Sequence, residues 1–92
     1  MSFDYDFSTK LKSIIEKLKR KSPKRVEMIR KKVMQIINSD EFSIEHFKNL
    51  KHDLKKEKRV HIDKSFVLAF SVDENKKLII IEDYDHHDNI YK

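Results

Sequence analysis

Residues 2 to 7 alternate, with Phe3, Tyr5 and Phe7 on one side and Asp4 and Asp6 on the other, the period of two of a half-buried strand. The period then lengthens. Leu11, Ile14, Ile15 and Leu18 recur at helical spacing behind Ser8 or Thr9, either of which can cap a helix, and Lys10, Lys12, Lys17 and Lys19 form its cationic face. KRKSP interrupts this pattern. Ser22 can cap a second helix, Pro23 suits its first turn, and Val26, Ile29, Val33, Ile36 and Ile37 make its apolar stripe. The two predict an antiparallel helical hairpin.

Asn38 to Glu41 reads as a turn, and Phe47, Leu50 and Leu54 suggest a short amphipathic helix or ordered loop through residue 55. Three strands are then expected at 58 to 63, 65 to 73 and 77 to 84, joined by tight connections at Asp63 to Ser65 and Asp73 to Lys76. Phe66, Val67, Leu68, Ala69 and Phe70 make the middle strand apolar on both faces, so it belongs at the covered centre of an antiparallel sheet, with the helices on one side. The expected class is α+β: an N-terminal strand, a helical hairpin, then a three- to four-stranded antiparallel sheet. Ninety-two residues suit a single domain, 1 to 92, burying roughly 60 to 65% of its unfolded surface.

Charge and composition narrow the chemistry. Twenty-one Lys and Arg against 16 Asp and Glu give a formal charge of +5 and a pI near 9.4, which favours an anionic partner. The absence of cysteine excludes disulfides, thiolate zinc sites and cysteine nucleophiles, and the absence of glycine excludes P-loop and dinucleotide fingerprints. Any phosphate must be held by side chains or helix ends. The charged start, MSFDYDFSTK, does not resemble a signal peptide, and no apolar run approaches the ~18 residues of a membrane span, so a cytoplasmic protein without a membrane partner is expected.

The candidate chemistry lies in the last third. On a strand over 58 to 63, Arg59, His61 and Asp63 share one face while Val60 and Ile62 enter the core, leaving the guanidinium and the imidazole roughly 7 Å apart. That spacing lets one hold a phosphate while the other handles a proton; the bland alternative is the solvated face of an edge strand. His86 and His87 follow the last strand, where an imidazole can exchange a proton near neutrality, and Tyr91 can fold over the same face. His86 reads better as an exposed polar residue, and Tyr91 can equally be a core-sealing aromatic.

Asp85, His86, His87, Asp88 and His61 are possible metal ligands, yet adjacent strand residues point apart and no His-x-x-x-His spacing is present. No metal or other cofactor is expected. The helix lysines are interspersed in the usual solvated pattern. The run carrying Lys51, His52, Lys55, Lys56 and Lys58 leads into the Arg59 strand and can form a phosphate-binding ridge that positions RNA without reading sequence.

FKNLKHDLKKEKRVHIDKSFVLAFSVDENKKLIIIEDYDHHDNIY resembles the RelE/ParE toxin superfamily, over about half the chain by motif and nearly all of it by element order. The resemblance rests on a Leu-Lys segment, a basic strand, a strand like FVLAFSV, a short turn, an apolar strand and the H-x-x-x-Y ending from His87 to Tyr91. VHIDKSFVLAF is similar to the histidine-bearing, YafQ-like branch of ribosome-dependent messenger-RNA endonucleases, which carries that branch's site histidines onto His61 and His87 and its terminal aromatic onto Tyr91. The basic strand residues of the RelE branch proper correspond to Arg59 and His61, but two of its arginines meet Val67 and Asp85, which shifts the burden to histidine.

The resemblance implies a RelE-like fold and the toxin of a type II toxin–antitoxin pair. It implies metal-independent cleavage of messenger RNA in the ribosomal A site, with His87 as acid, His61 as base or second proton carrier, Tyr91 orienting the nucleotide, and Arg59, Lys51 and Lys55 stabilising the phosphorane. The implied protein partner is a RelB-like antitoxin, in a heterodimer or heterotetramer. The alternatives are a ParE-like gyrase-binding toxin without RNase activity, a catalytically degenerate antitoxin-binding module, and a basic nucleic-acid-binding domain with incidental histidines.

Overall fold

The computed structural model describes residues 3–38, 48–49, 57–73 and 75–90, with the backbone alone at 48, 49 and 57. The elements run β1 (Asp4–Phe7), α1 (Thr9–Lys21), α2 (Pro23–Ile37), β2 (Lys48–Asn49), β3 (Glu57–His61), β4 (Phe66–Asp73), β5 (Leu78–His86) and a helical turn, α3 (His87–Ile90). The strands form one sheet in the order β1-β5-β4-β3-β2. The expected α+β architecture is present, and the apolar strand β4 lies at its centre.

Strands β3 to β5 pair antiparallel, as expected, and β2, where a short helix or loop is expected, pairs antiparallel with β3, whereas β1 joins β5 in parallel. The sheet is therefore mixed. β1 leaves through helices instead of a hairpin, so its connection imposes no antiparallel neighbour.

Ser8 caps α1. Its backbone is extended (φ −64°, ψ 158°), and its Oγ accepts the Leu11 N–H at 3.0 Å while donating to the Glu82 carbonyl at 2.6 Å. The helix ends in Lys19, Arg20 and Lys21, cations at the negative end of its dipole. Ser22 stops it because Pro23 disfavours a helical residue before it. Ser22 makes no side-chain capping bond, against expectation; its carbonyl accepts the Arg25 N–H at 3.0 Å instead. At the far end of α2, the Ile37 carbonyl accepts the Phe3 N–H at 2.9 Å, tying the helix terminus to the start of β1.

The core lies between the helices and one sheet face: Leu11, Ile29, Val33, Ile36 and Ile37 meet Leu68, Phe70, Val72, Ile79, Ile81 and Tyr84. Burying each of the large aliphatic and phenyl groups contributes about 1.5–3 kcal/mol relative to exposure. Val67 and Ala69, on the opposite face of β4, are also buried.

A β-bulge sets how the last strand faces this core. Ala69 pairs with Asp83 and Phe70 with Ile81, so Glu82 is an extra residue in β5. Ile79 and Ile81 face the helices before the bulge, and Tyr84 does so after it. Asp83 and Asp85 are thereby left on the open face, and Ser71 Oγ holds Glu82 by donating to its carboxylate at 2.8 Å.

The starts of β3, β4 and β5 each differ from expectation by one residue, and two ends differ by two. β3 stops at His61, because Asp63 Oδ1 accepts the N–H groups of Ser65 (2.9 Å) and Phe66 (2.8 Å), curling the chain into a turn. β5 continues to His86, two residues beyond the expected end. Between β4 and β5, Lys77 adopts φ 54°, a left-handed position usually given to glycine, which this chain lacks. Apart from the two residues of β2, the proposed helix or loop through residue 55 lies outside the described residues.

Candidate functional site

His61 closes β3 and His87 opens α3. Their approach follows from register: His61 pairs with Val67, which pairs with Asp85, and His87 is the next residue of that parity. The His87 N–H donates to the Ser65 carbonyl at 2.7 Å, fixing the chain where it leaves the sheet. The two imidazoles stack with ring centres 5.6 Å apart and planes 28° apart, on the face opposite the helices. His61 is exposed and the His87 side chain is 45% accessible, so both rings meet solvent.

Arg59 shares that face, opposite Ala69, which in turn pairs with Asp83. Asp63 does not. Because β3 ends before it, its other carboxylate oxygen turns to Arg25 Nη1 of α2, at 3.0 Å. Lys58 also departs from its expected place on a phosphate-binding ridge: it is 3% exposed and pairs with Phe70, whose side faces the core. Tyr91, Lys51, His52, Lys55 and Lys56 lie outside the described residues.

His86 has the opposite parity to His87. Its ring meets the Phe66 ring edge-on at 5.6 Å, and its Nδ1 accepts the Asp88 N–H at 3.2 Å. It pairs with Phe66 away from the His61 face and acts in the local turn.

Asp83 and Asp85 share the open face of the sheet with the imidazole pair, and both are engaged. Lys10 Nζ reaches Asp83 at 3.0 Å, and that bond raises the lysine pKa. Asp85 is held below its ordinary value first by the Asn89 side-chain amide at 3.0 Å, then by the His86 N–H and the Lys10 charge, with burial opposing. Asp88 Oδ1 lies 3.5 Å from His87 Nδ1, where it attracts an imidazolium. Lys10, expected among the solvated lysines, meets Asp83 on the side to which the bulge turns that carboxylate.

Among the described residues, no group of three or more His, Asp or Glu side chains is arranged to hold a metal ion. The chemistry offered is proton transfer beside a cation. A general acid or base needs about 2.6–3.2 Å to its proton-exchanging atom, so one phosphodiester can lie against both imidazoles.

The Asp63 turn gives a pH-dependent signature. Its carboxyl is held below the ordinary value of 3.8, first by the Ser65 and Phe66 N–H groups and then by Arg25. A depressed folded pKa contributes stability that is complete above the unfolded value and is lost as pH falls through the folded one. Denaturant titrations from about pH 6 to about pH 2 should therefore show Asp63→Asn losing less stability with acid than the parent.

No protein-family model and no solved structure matches the chain. It is 47% identical over 90 residues to a protein of Methanocaldococcus jannaschii named "Putative toxin RelE4", covering 98% of this chain and 92% of that one. An uncharacterised protein of Methanosarcina mazei is 46% identical over 83 residues, covering 90% and 92% of the two chains. Identity at this level across almost the full length, joined to the α+β architecture, means that the chain belongs to the RelE toxin family.

Proposed function

We propose that this RelE-family chain is the toxin of a type II toxin–antitoxin pair and cleaves messenger RNA on the ribosome by metal-independent acid–base chemistry. The observation that carries the reading is the stacked His61–His87 pair, 5.6 Å between ring centres, on the Arg59 face of the sheet. In this reading one histidine takes the proton of an RNA 2′-hydroxyl. The 2′-oxygen bonds to the adjacent phosphorus, the bond from phosphorus to the 5′-oxygen breaks, and the other histidine protonates the departing oxygen. The products are a 2′,3′-cyclic phosphate and a 5′-hydroxyl. His87 is assigned as the acid and His61 as the base.

Arg59 supplies fixed positive charge as the phosphorane becomes dianionic. Tyr91 is assigned to orient the nucleotide, and Lys51, His52, Lys55 and Lys56 to hold flanking phosphates. The nucleophile belongs to the substrate, so no resident cofactor is required.

The partner in this reading is an acidic, RelB-like antitoxin. The two helices carry eleven Lys and Arg against two Glu. Beside them Tyr5, Phe7, Ile15, Val26 and Met34 line an apolar groove of about 240 Å³ that also includes Arg30. A basic, apolar surface of this kind suits an amphipathic acidic segment, and a stable complex buries more than ~1,200 Å².

Two measurements test the proposal together. Co-expression with the product of the neighbouring gene should give a complex that survives purification at micromolar concentration. Programmed ribosomes incubated with free toxin should yield messenger-RNA fragments ending in 2′,3′-cyclic phosphate. Linear 3′-hydroxyl ends would overturn the mechanism, and gyrase inhibition without RNA cleavage would replace the reading with a ParE-like one.

A further inference from the structure

We propose that Arg25 is a positioning residue for the His61–His87 pair, acting through the sheet from its helix-covered side. The catalytic consequence rests on the function proposed above; the positioning itself does not.

Arg25 Nη1 bonds two partners, Asp63 Oδ2 at 3.0 Å and the Tyr84 hydroxyl at 2.9 Å, while its guanidinium carbon stands 4.5 Å over the Phe66 ring. Phe66 and Tyr84 are themselves stacked, with centres 5.1 Å apart and planes 12° apart. One side chain of α2 therefore joins the β3–β4 turn, the first residue of β4 and the end of β5. The bond to Tyr84 is also the leading cause of the raised Arg25 pKa, which is the mark of an engaged cation.

These are the places from which the histidines emerge. His61 lies two residues before Asp63, and Asp63 Oδ1 fixes the turn by accepting from Ser65 and Phe66. Ser65 in turn accepts the His87 N–H at 2.7 Å. The route runs from Arg25 to Asp63, through the turn to the Ser65 carbonyl, and on to the His87 backbone. A second branch runs through Tyr84, three residues before His87 in β5. Tyr84 and Phe66 face the helices while His61 faces away, so Arg25 makes no contact with a substrate held by the histidines.

An isolated, partly exposed ion pair would contribute little. Three simultaneous contacts, to one turn and two strands, define a geometry, and a displacement of about 1 Å at reacting groups can cost about 100-fold in rate.

The test uses Arg25→Ala, Asp63→Asn and Tyr84→Phe. Asparagine retains an oxygen to hold the turn but weakens the bond to Arg25, and phenylalanine removes one hydroxyl. Two readouts are taken: nuclear Overhauser contacts between the His61 and His87 ring protons in free protein, and cleavage kinetics on programmed ribosomes. Arg25→Ala should lose the ring contact and lower kcat by about 10- to 100-fold with KM little changed. In a His87→Ala background the same substitution should cost less than about 2-fold, because the two act on one step.

A folded Arg25→Ala protein with the ring contact intact overturns the proposal, whether or not its rate falls. Should Arg25→Ala fail to fold, intact contacts in both Asp63→Asn and Tyr84→Phe overturn it instead. If the histidine variants cleave at the parent rate while Arg25→Ala still loses the contact, the catalytic reading falls and the positioning role stands.

Discussion

His87→Ala should lower ribosome-dependent cleavage by about 100-fold or more, the usual worth of a general acid or base, with His61→Ala similarly impaired. The expectation follows from the stacked rings and their solvent access. His86→Ala is the internal control: it removes the same chemical group from the next residue, but on the Phe66 side of the sheet, and should change the rate little. Removing both site histidines should cost far less than the product of the single losses, since residues that act as a unit are not additive. Time courses of messenger-RNA cleavage on programmed ribosomes, with circular dichroism to check folding, measure all four variants. A folded double variant that cuts at the parent rate would remove the site assignment.

Phe70→Ala should lower the free energy of unfolding by about 3–5 kcal/mol. Phe70 is completely buried at the centre of β4 and belongs to the core shared by both helices and β5. Its removal leaves a cavity that the flanking strands cannot close without breaking their ladders, and the loss is a large share of the about 5–15 kcal/mol typical of a domain. Met34→Ala makes the contrast. That side chain is 41% exposed on α2, and its truncation should stay within about 0.5 kcal/mol. Urea titration reads both: the Phe70 midpoint falls with an unchanged slope, and a Phe70 midpoint matching that of Met34→Ala would contradict the core assignment.

Periodicity made most of the architecture legible. The change from period two to helical spacing after Phe7, the break at Ser22-Pro23 and the doubly apolar run at Phe66 each mark an element whose local preference and burial agree. The parallel entry of β1 was not legible, because alternation records which face a residue takes and says nothing of strand direction. The proximity of His61 and His87 is legible only through the family pattern; spacing alone favours a solvated strand edge.

Asp63 shows where extrapolated alternation fails, and Lys58 where alternation outweighs charge. A side-chain-to-backbone turn at Asp63 ended the strand two residues early and sent the carboxylate to Arg25. Lys58 has the parity of Val60, so the pattern itself directs it inward although its charge favours the surface. The contact between Lys10 and Asp83 spans 73 positions and depends on a bulge, which no local window reveals.

Glu82, the extra residue of β5, divides the demands of the core from those of the surface histidine. Deleting it would join Ile81 to Asp83 in regular alternation and keep every face, whereas a β5 that kept Glu82 but ran without the bulge would exchange the faces of everything that follows, because strand geometry repeats every two positions. Tyr84 would turn outward, and Asp83 and Asp85 would enter the apolar layer, where unpaired carboxylates cost several kcal/mol. The imidazole behaves differently: because His86 and His87 are adjacent, alternation alone directs a histidine toward the His61 face in either phase. The bulge in β5 is therefore held in place by the interior, while the doubled histidine keeps an imidazole on the His61 face in either phase.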